Sequence, residues 1–321
     1  MARSTSSPGI AGSAPEPGRP ARGAPVRQRS VVSNLLISLR PDQWTKNLLV
    51  FAGLLFGQRL FDVPSVERAA GAFAVFCALS GAVYLINDVL DRESDRRHPL
   101  KRARPIASGA LPVSAALAAA AILSGGALLA SMTLGGSFTL VAAAYLGLLA
   151  LYSASLKNIV IIDVLTIAIG FVLRAVAGAV AVDVQISRWL FVCTILLALF
   201  IALAKRRHEL VLLAGDARSH RPILGEYTPY LLDQMIAVVT ASTLISYAFY
   251  TISPETEAKF GTPWLGLTIP FPLYGIFRYL YLVHQREGGG SPADLLLTDR
   301  PLLLCVALWA AAVALIIYRP F

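Results

Sequence analysis

"RAAGAFAVFCALSGAVYLINDVLDRESDRR", residues 68–97, decides how this chain is read. Residues 68–90 make an apolar run of the length that crosses a bilayer, for which a helix needs about 20 residues. The run closes on Asn87, Asp88, Asp91 and Asp95, and six Lys or Arg follow between residues 91 and 111. At about 100° per residue, Asp91 and Asp95 lie about 300° and 340° round the axis from Asp88, and Asn87 about 260°. A helix that continued to residue 95 would therefore carry all four within about a 100° arc. Three carboxylates on one face repel, and Asp91–Asp95 is a like-charged i,i+4 pair. Such a face at a membrane boundary calls for a cation. Mg²⁺ takes oxygen ligands, keeps several waters and commonly bridges one or two carboxylates to phosphate oxygens. Asp88, Asp91 and Asp95 are thus candidate metal ligands, Asn87 can add an oxygen or an amide donor, and the basic residues behind them can hold the remaining phosphate charge. The competing reading is a solvated helix end with intrahelical Asp–Arg pairs.

The rest of the 321 residues agrees with a membrane bundle. Hydrophobic residues make up 56% of the chain, and the mean hydropathy is +0.65. Apolar runs recur at roughly 44–62, 68–90, 112–132, 136–154, 159–182, 187–205, 230–251, 264–283 and 299–318, which predicts an all-α polytopic protein of about nine transmembrane helices. In hydrocarbon every backbone N–H and C=O needs an internal partner, and a transmembrane barrel would show shorter alternating segments. The net charge of +9 is not spread as nucleic-acid binding would require. Lys205, Arg206, Arg207, Arg218 and Arg221 crowd the 205–229 connection, whereas the turn near 131–136 has no Lys or Arg, that near 183–188 has Arg188, and 252–263 has Lys259. Alternate loops obey the positive-inside rule. This predicts a multi-pass protein of a bacterial plasma membrane, with its N-terminus and chemistry on the cytoplasmic side and its C-terminus outside. Membrane lipids are its surroundings, and no nucleic-acid partner is expected.

Residues 1–29 are rich in Pro, Gly, Ala, Ser and Arg and lack an apolar segment, as expected of a disordered tail rather than a signal peptide. Residues 30–321 form one catalytic unit, opening with a short amphipathic lead-in at 30–43. Pro41 favours a break there, and Trp44 suits the interface. Cys77, Cys193 and Cys305 fall inside apolar spans and read as small buried hydrophobes. His98, His208, His220 and His284 lack zinc spacing, and no phosphate-binding glycine loop is present.

The segments "RPDQWTKNLLV", "YLINDVLDRESDRRHPLKRARPIASG", "YSASLKNIVIIDV", "LRAVAGAV", "AKRRHEL" and "EYT" resemble the UbiA superfamily of intramembrane prenyltransferases, whose NDxxDxxxD motif ends the second span ahead of a basic loop. Within it the likeness is to the branch that transfers 5-phosphoribosyl to decaprenyl phosphate for arabinan and cell-wall assembly, and it extends from about residue 35 to the C-terminus. The resemblance implies nine helices, a Mg²⁺ cofactor, phosphoribosyl pyrophosphate as donor and a polyprenyl phosphate as acceptor. It leaves a homo-oligomer, a trimer, open. Ordinary members carry a second acidic motif after the sixth span. Here that place reads "LAKRRHELVLLAGD", where Lys205 and Arg206 precede Glu209 and Lys205 shares a face with Glu209. Two phosphorylated substrates would favour this more positive site; a cytoplasmic anchor is the plainer reading.

The remaining substrate-binding candidates are Lys46, Asn47, Tyr84, Lys101, Arg102, Arg104, Tyr152, Lys157 and Asp163. Lys46 is either a phosphate ligand or a snorkelling anchor. Asp163, about one turn inside its span, could orient Lys157, accept a ribose hydroxyl or pair with a base. Arg174 lies about 16 Å along the same helix, too far to reach Asp163, and a structural pair with another helix is equally open to it. The expected chemistry has the lipid phosphate attack ribose C1 as the metal-bound diphosphate leaves, with the polyprenyl chain in a lateral slot. The rival in the same superfamily is prenyl transfer from a prenyl diphosphate to an aromatic acceptor. A lipid-linked solute transporter is more remote, because no internal repeat is seen and the charged groups gather at one face.

Overall fold

The computed structural model describes residues 30–99, 101–185, 187–212, 222–285, 295 and 298–318. The tail expected at 1–29, together with Arg218, His220 and Arg221, lies outside the described residues. The chain begins with α1 (Val31–Ser38), a 3-10 segment (Pro41–Phe51) and α2 (Ala52–Phe56), followed by α3 (Val63–Leu90) and α4 (Arg92–Arg97). Then come α5 (Val113–Ser131), α6 (Gly136–Ala154), α7 (Ile162–Ala181) and α8 (Arg188–Leu212). The last elements are α9 (Pro229–Ile252), α10 (Pro254–Phe260), α11 (Pro270–Gln285) and α12 (Arg300–Tyr318). No strand occurs among the described residues.

Seven of these helices are long and apolar enough to cross a membrane: α3, α5 with its 3-10 extension to Leu134, α6, α7, α8, α9 and α12. These seven do not by themselves confirm the expected count of about nine. Two of the apolar runs take other forms. The first is the 3-10 segment continued by α2. At about 2.0 Å rise per residue in the 3-10 part and about 1.5 Å in α2, it reaches about 30 Å with fewer residues than a spanning α-helix uses. The second, expected at 264–283, is divided into a 3-10 turn at Trp264–Thr268 and α11. The run read from residue 68 starts earlier, at Val63, because Asp62 caps α3 by accepting from the Ser65 N–H and Pro64 sits in the first turn.

α3 and α7 are the inner helices, with 61% and 56% of their apolar windows buried, against 17–33% for the other five. Large apolar side chains such as Ile122, Leu129, Leu140 and Val238 point outward, which suits a lipid surround. Val50, Phe76, Phe138 and Tyr145 pack together between the 3-10 segment, α3, α6 and α7, while Phe200, Leu232 and Tyr279 join α8, α9 and α11. The 3-10 segment can lie hard against α7 because Gly178 has no side chain: a Cβ there would overlap the Val50 carbonyl, and one at Gly53 would meet the backbone of Gly178 and Ala179 at 2.9 Å. That close approach brings Asn47 to Arg174.

Two cavities open at the end of the bundle away from the carboxylates. One of about 460 Å³ is lined by Trp264, Leu267, Thr268, Ala312, Leu315 and Ile316; the other, about 560 Å³, lies beside Arg59, Arg68 and Gly135. Neither is the slot expected beneath Asp88.

Gly178→Ala should lower the melting temperature in detergent markedly, since overpacking costs about 1–3 kcal/mol. Gly147→Ala, where a Cβ meets nothing within 4 Å, should leave it unchanged. Equal melting of the two variants would mean that this contact does not hold the bundle together.

Candidate active site

α3 delivers Asn87 and Asp88 to the end of the bundle, but the helix does not run on unbroken. Asp91 is the C-cap of α3, at φ −88 and ψ 5, and α4 starts at Arg92. The break still leaves Asp88 and Asp95 close enough to share one base, while Asp91 meets another. Asp88 and Asp95 are both buried, and Asp91 is 43% exposed in its side chain. Arg104 Nη1 lies 3.1 Å from Asp88 Oδ1 and 2.6 Å from Asp95 Oδ2. Arg40 Nη2 lies 2.5 Å from the same Asp88 oxygen. Lys157, in the short turn between α6 and α7, reaches Asp91 Oδ1 at 3.1 Å. Asn87 Oδ1 accepts from Ser153 Oγ at 2.5 Å. Each carboxylate of the motif is thus held by a base from outside its own helix, Arg104 from the following loop and Arg40 and Lys157 from distant segments, not by a neighbour on its own helix as a solvated helix end would have it.

The basic residues after the motif divide. Arg104 comes to the acids, whereas Lys101 and Arg102 are exposed and form no ion pair with them. Arg40, Ser153 and Tyr227 were missed by sequence reasoning. The available signal was their presence in "LRPDQW", "YSASLK" and "EYT".

A second charged group lies deeper. Arg206, 2% exposed, donates from Nε to Asp163 Oδ2 at 2.7 Å, from Nη1 to Glu209 Oε2 at 2.6 Å and from Nη2 to Tyr152 OH at 3.2 Å. Tyr227 OH donates to Asp163 Oδ1 at 2.7 Å and accepts the Ile161 N–H at 2.7 Å. Burial pushes the Tyr227 phenol up to about 12, so it keeps its proton for Asp163. Ile161 is held at φ 70, an uncommon conformation for a β-branched residue, immediately before α7. Lys205 lies 4.0 Å from Glu209. Of the roles open to Asp163, pairing with a base is the one observed. The cluster ties α6, α7 and α8 together and leaves every nitrogen of Arg206 already donating.

A third group crosses the bundle interior. Arg174 donates to Asn47 Oδ1 at 2.7 Å, Gly170 O at 3.0 Å and Tyr145 OH at 2.6 Å. It is 7% exposed and, among the described residues, has only these neutral acceptors. Lys46, next to Asn47, makes no hydrogen bond or ion pair among the described residues. It feels the charges of Lys205, Arg174 and Arg40, with Asp42 the opposing one. Tyr84 lies under Arg40, 4.8 Å from guanidinium carbon to ring centroid.

The sequence profile described as the UbiA prenyltransferase family matches residues 48–298. The chain belongs to that family. It is similar to two proteins named decaprenyl-phosphate phosphoribosyltransferase. That of Corynebacterium glutamicum is 32% identical over 295 residues, covering 90% of this chain and 88% of the relative. That of Mycolicibacterium smegmatis is 33% identical over 316 residues, covering 94% and 97%. In fold it is similar to a UbiA homolog from Archaeoglobus fulgidus solved with DMAPP and Mg²⁺, with a TM-score of 0.68, 20% identity and coverage of 89% and 99%. The polytopic all-α bundle is the UbiA fold.

Among the described residues, no three acidic, His or Cys side chains stand together as a ready cage for a bare ion. Asp88 and Asp95 do converge on one cationic nitrogen of Arg104. A hydrated Mg²⁺, which needs one or two carboxylates and completes its shell with water and phosphate oxygens, suits that pair. In this UbiA-family chain Asp88 and Asp95 would hold such an ion, with Asp91 at the rim.

Asp163→Ala removes one of the two carboxylates that hold the buried Arg206, and breaking a buried pair costs up to about 3–5 kcal/mol. The variant should melt far below wild type in detergent, while Lys101→Ala melts with it. A wild-type melting curve for Asp163→Ala would contradict the buried-pair role.

Proposed function

We propose that this protein moves the 5-phosphoribosyl group of phosphoribosyl pyrophosphate to a polyprenyl phosphate, decaprenyl phosphate by analogy with its named relatives. The products are polyprenylphosphoryl-5-phosphoribose, a precursor for arabinan and cell-wall synthesis, and diphosphate. The observation that carries the reading is the surplus of positive charge inside the bundle. Arg174 is buried and meets neutral acceptors, with no carboxylate partner among the described residues, and buried charge without a counterion is costly; Lys46 lies in the adjoining 3-10 segment, next to Asn47. Prenyl transfer to an aromatic acceptor brings one phosphorylated substrate, held by acids and metal. Pentosyl transfer to a lipid phosphate brings two, and the second needs bases.

A divalent metal, when bound, neutralises the leaving diphosphate. Asp88 and Asp95 hold it from the buried side, with Asp91 and Asn87 at the rim. Arg104 and Lys157 lie beside the diphosphate and take its remaining charge. Positive charge grows on the ribose as its C1–O bond breaks, and the carboxylates near it favour that state electrostatically. The lipid phosphate attacks C1 from the opposite face, and as an anion it needs no strong general base. Lys46, Arg174 and Lys205 anchor that phosphate or the ribose 5-phosphate, Asn47 orients Arg174, and Tyr152, Asp163, Arg206 and Glu209 frame the pocket. The uneven distribution of Lys and Arg supports a site on the cytoplasmic face of a bacterial plasma membrane, where a soluble donor meets a lipid acceptor. A homotrimer belongs to the same proposal.

Given labelled phosphoribosyl pyrophosphate and decaprenyl phosphate, the protein should form labelled lipid with Mg²⁺ and none in EDTA. Asp88→Ala and Asp91→Ala should lower turnover by at least about a hundredfold, the scale of losing preorganised charge at the reacting group, without unfolding the bundle. Lys46→Ala should raise KM for the lipid by about tenfold or more, the worth of one charged hydrogen bond. Label moving only from a prenyl diphosphate to an aromatic acceptor would overturn the reading.

A further inference from the structure

Arg40 stands where a metal's charge belongs. It lies outside the helices that carry the acids, in the linker between α1 and the 3-10 segment, 48 residues before Asp88. Its backbone is left-handed, φ 52 and ψ 66, a conformation strained for any residue with a side chain. Pro41 reinforces this by disfavouring the right-handed helical region for the residue before it. The strained turn sends the guanidinium across the Tyr84 ring and onto Asp88 Oδ1. That oxygen already accepts from Arg104, so two cations share one carboxylate atom. Arg40 is the freer of the two to leave: Arg104 is also held by Asp95 at 2.6 Å, whereas Asp88 is the one carboxylate that Arg40 meets among the described residues, and the Arg40 side chain is 27% exposed, with solvent to swing into.

The charges balance without any ion. Asp88, Asp91 and Asp95 face Arg40, Arg104 and Lys157. A divalent cation arriving alone would meet carboxylates already neutralised and three bases repelling it. A divalent cation arriving with a diphosphate brings the anion that the displaced bases need.

We propose that Arg40 is a placeholder for the divalent metal. It neutralises Asp88 in the empty site, yields that oxygen when a metal–diphosphate enters, and turns to a diphosphate oxygen. It is a positioning residue that makes metal uptake depend on the diphosphate. The inference rests on the metal–diphosphate reading above.

Mn²⁺ binding to the full chain in detergent, followed by electron paramagnetic resonance with and without phosphoribosyl pyrophosphate, separates the two. Arg40→Gly removes the guanidinium and relieves the backbone. Arg40→Gln keeps the strained backbone and a side chain over Tyr84, and Arg40→Lys keeps the charge. Wild type should bind Mn²⁺ weakly alone and much more tightly with the diphosphate. The Gly and Gln variants should bind Mn²⁺ alone about tenfold more tightly than wild type, the scale of one charged contact, and gain less from the diphosphate; Arg40→Lys should behave as wild type. If both neutral variants bind Mn²⁺ alone no more tightly than wild type, while wild type still responds to the diphosphate, the placeholder role is wrong and the site reading stands. If wild type takes up no Mn²⁺ in either condition, the metal–diphosphate reading itself fails, and the placeholder role with it.

Discussion

An apolar helix that ends in buried carboxylates must find positive charge, and the rest of this architecture follows from that need. Asp88 and Asp95 sit at the mouth of the most buried helix of the bundle. Neither can remain ionised there without a cation, because taking a charge out of water costs several kcal/mol. The protein gathers its cations from three segments: Arg40 from the entry turn, Arg104 from the loop just after α4 and Lys157 from the turn after α6. Each of those segments is thereby tied to the end of α3. The electrostatic demand of one helix terminus organises the face where the chemistry is proposed.

The interior shows the opposite imbalance. Arg174 donates once from each nitrogen, to an amide, a carbonyl and a phenol, none of which offsets its charge. Lys46 lies beside it with like charges around it. Between the two imbalances stands Arg206 with Asp163 and Glu209, in the place where ordinary members of the superfamily carry a second acidic motif. Here that place holds Arg206 paired with two carboxylates and a phenol. The chain thus has one acidic end suited to a metal-bound anion and one basic interior suited to a bare anion, an arrangement matched to two phosphorylated substrates.

Much of this was legible in the sequence, and the reasons differ by element. α3, α7 and α9 could be read because hydropathy over about 20 residues is a bilayer-scale signal. The first apolar run was legible as an apolar run but its 3-10 form was not, because a 3-10 segment leaves no mark in composition. The acids were found because they are close in sequence. The bases that each of them meets were not, because α3 ends at Asp91 and the partners come from other segments. Arg40, Ser153 and Tyr227 lie 48, 66 and 64 residues from the partners they meet. Such pairings depend on how helices pack, and no local spacing encodes them. Arg206 was found as a basic residue, but its closure onto Asp163 is a packing result that sequence spacing does not reveal.

The most direct measurement is a high-resolution structure of the full chain with Mn²⁺ and phosphoribosyl pyrophosphate. The account predicts metal density between Asp88 and Asp95, the diphosphate against Arg104 and Lys157, and the ribose directed toward Lys46 and Arg174. Metal at Glu209, or a diphosphate seated beside Arg174 with Asp88 still bound to arginine, would contradict it.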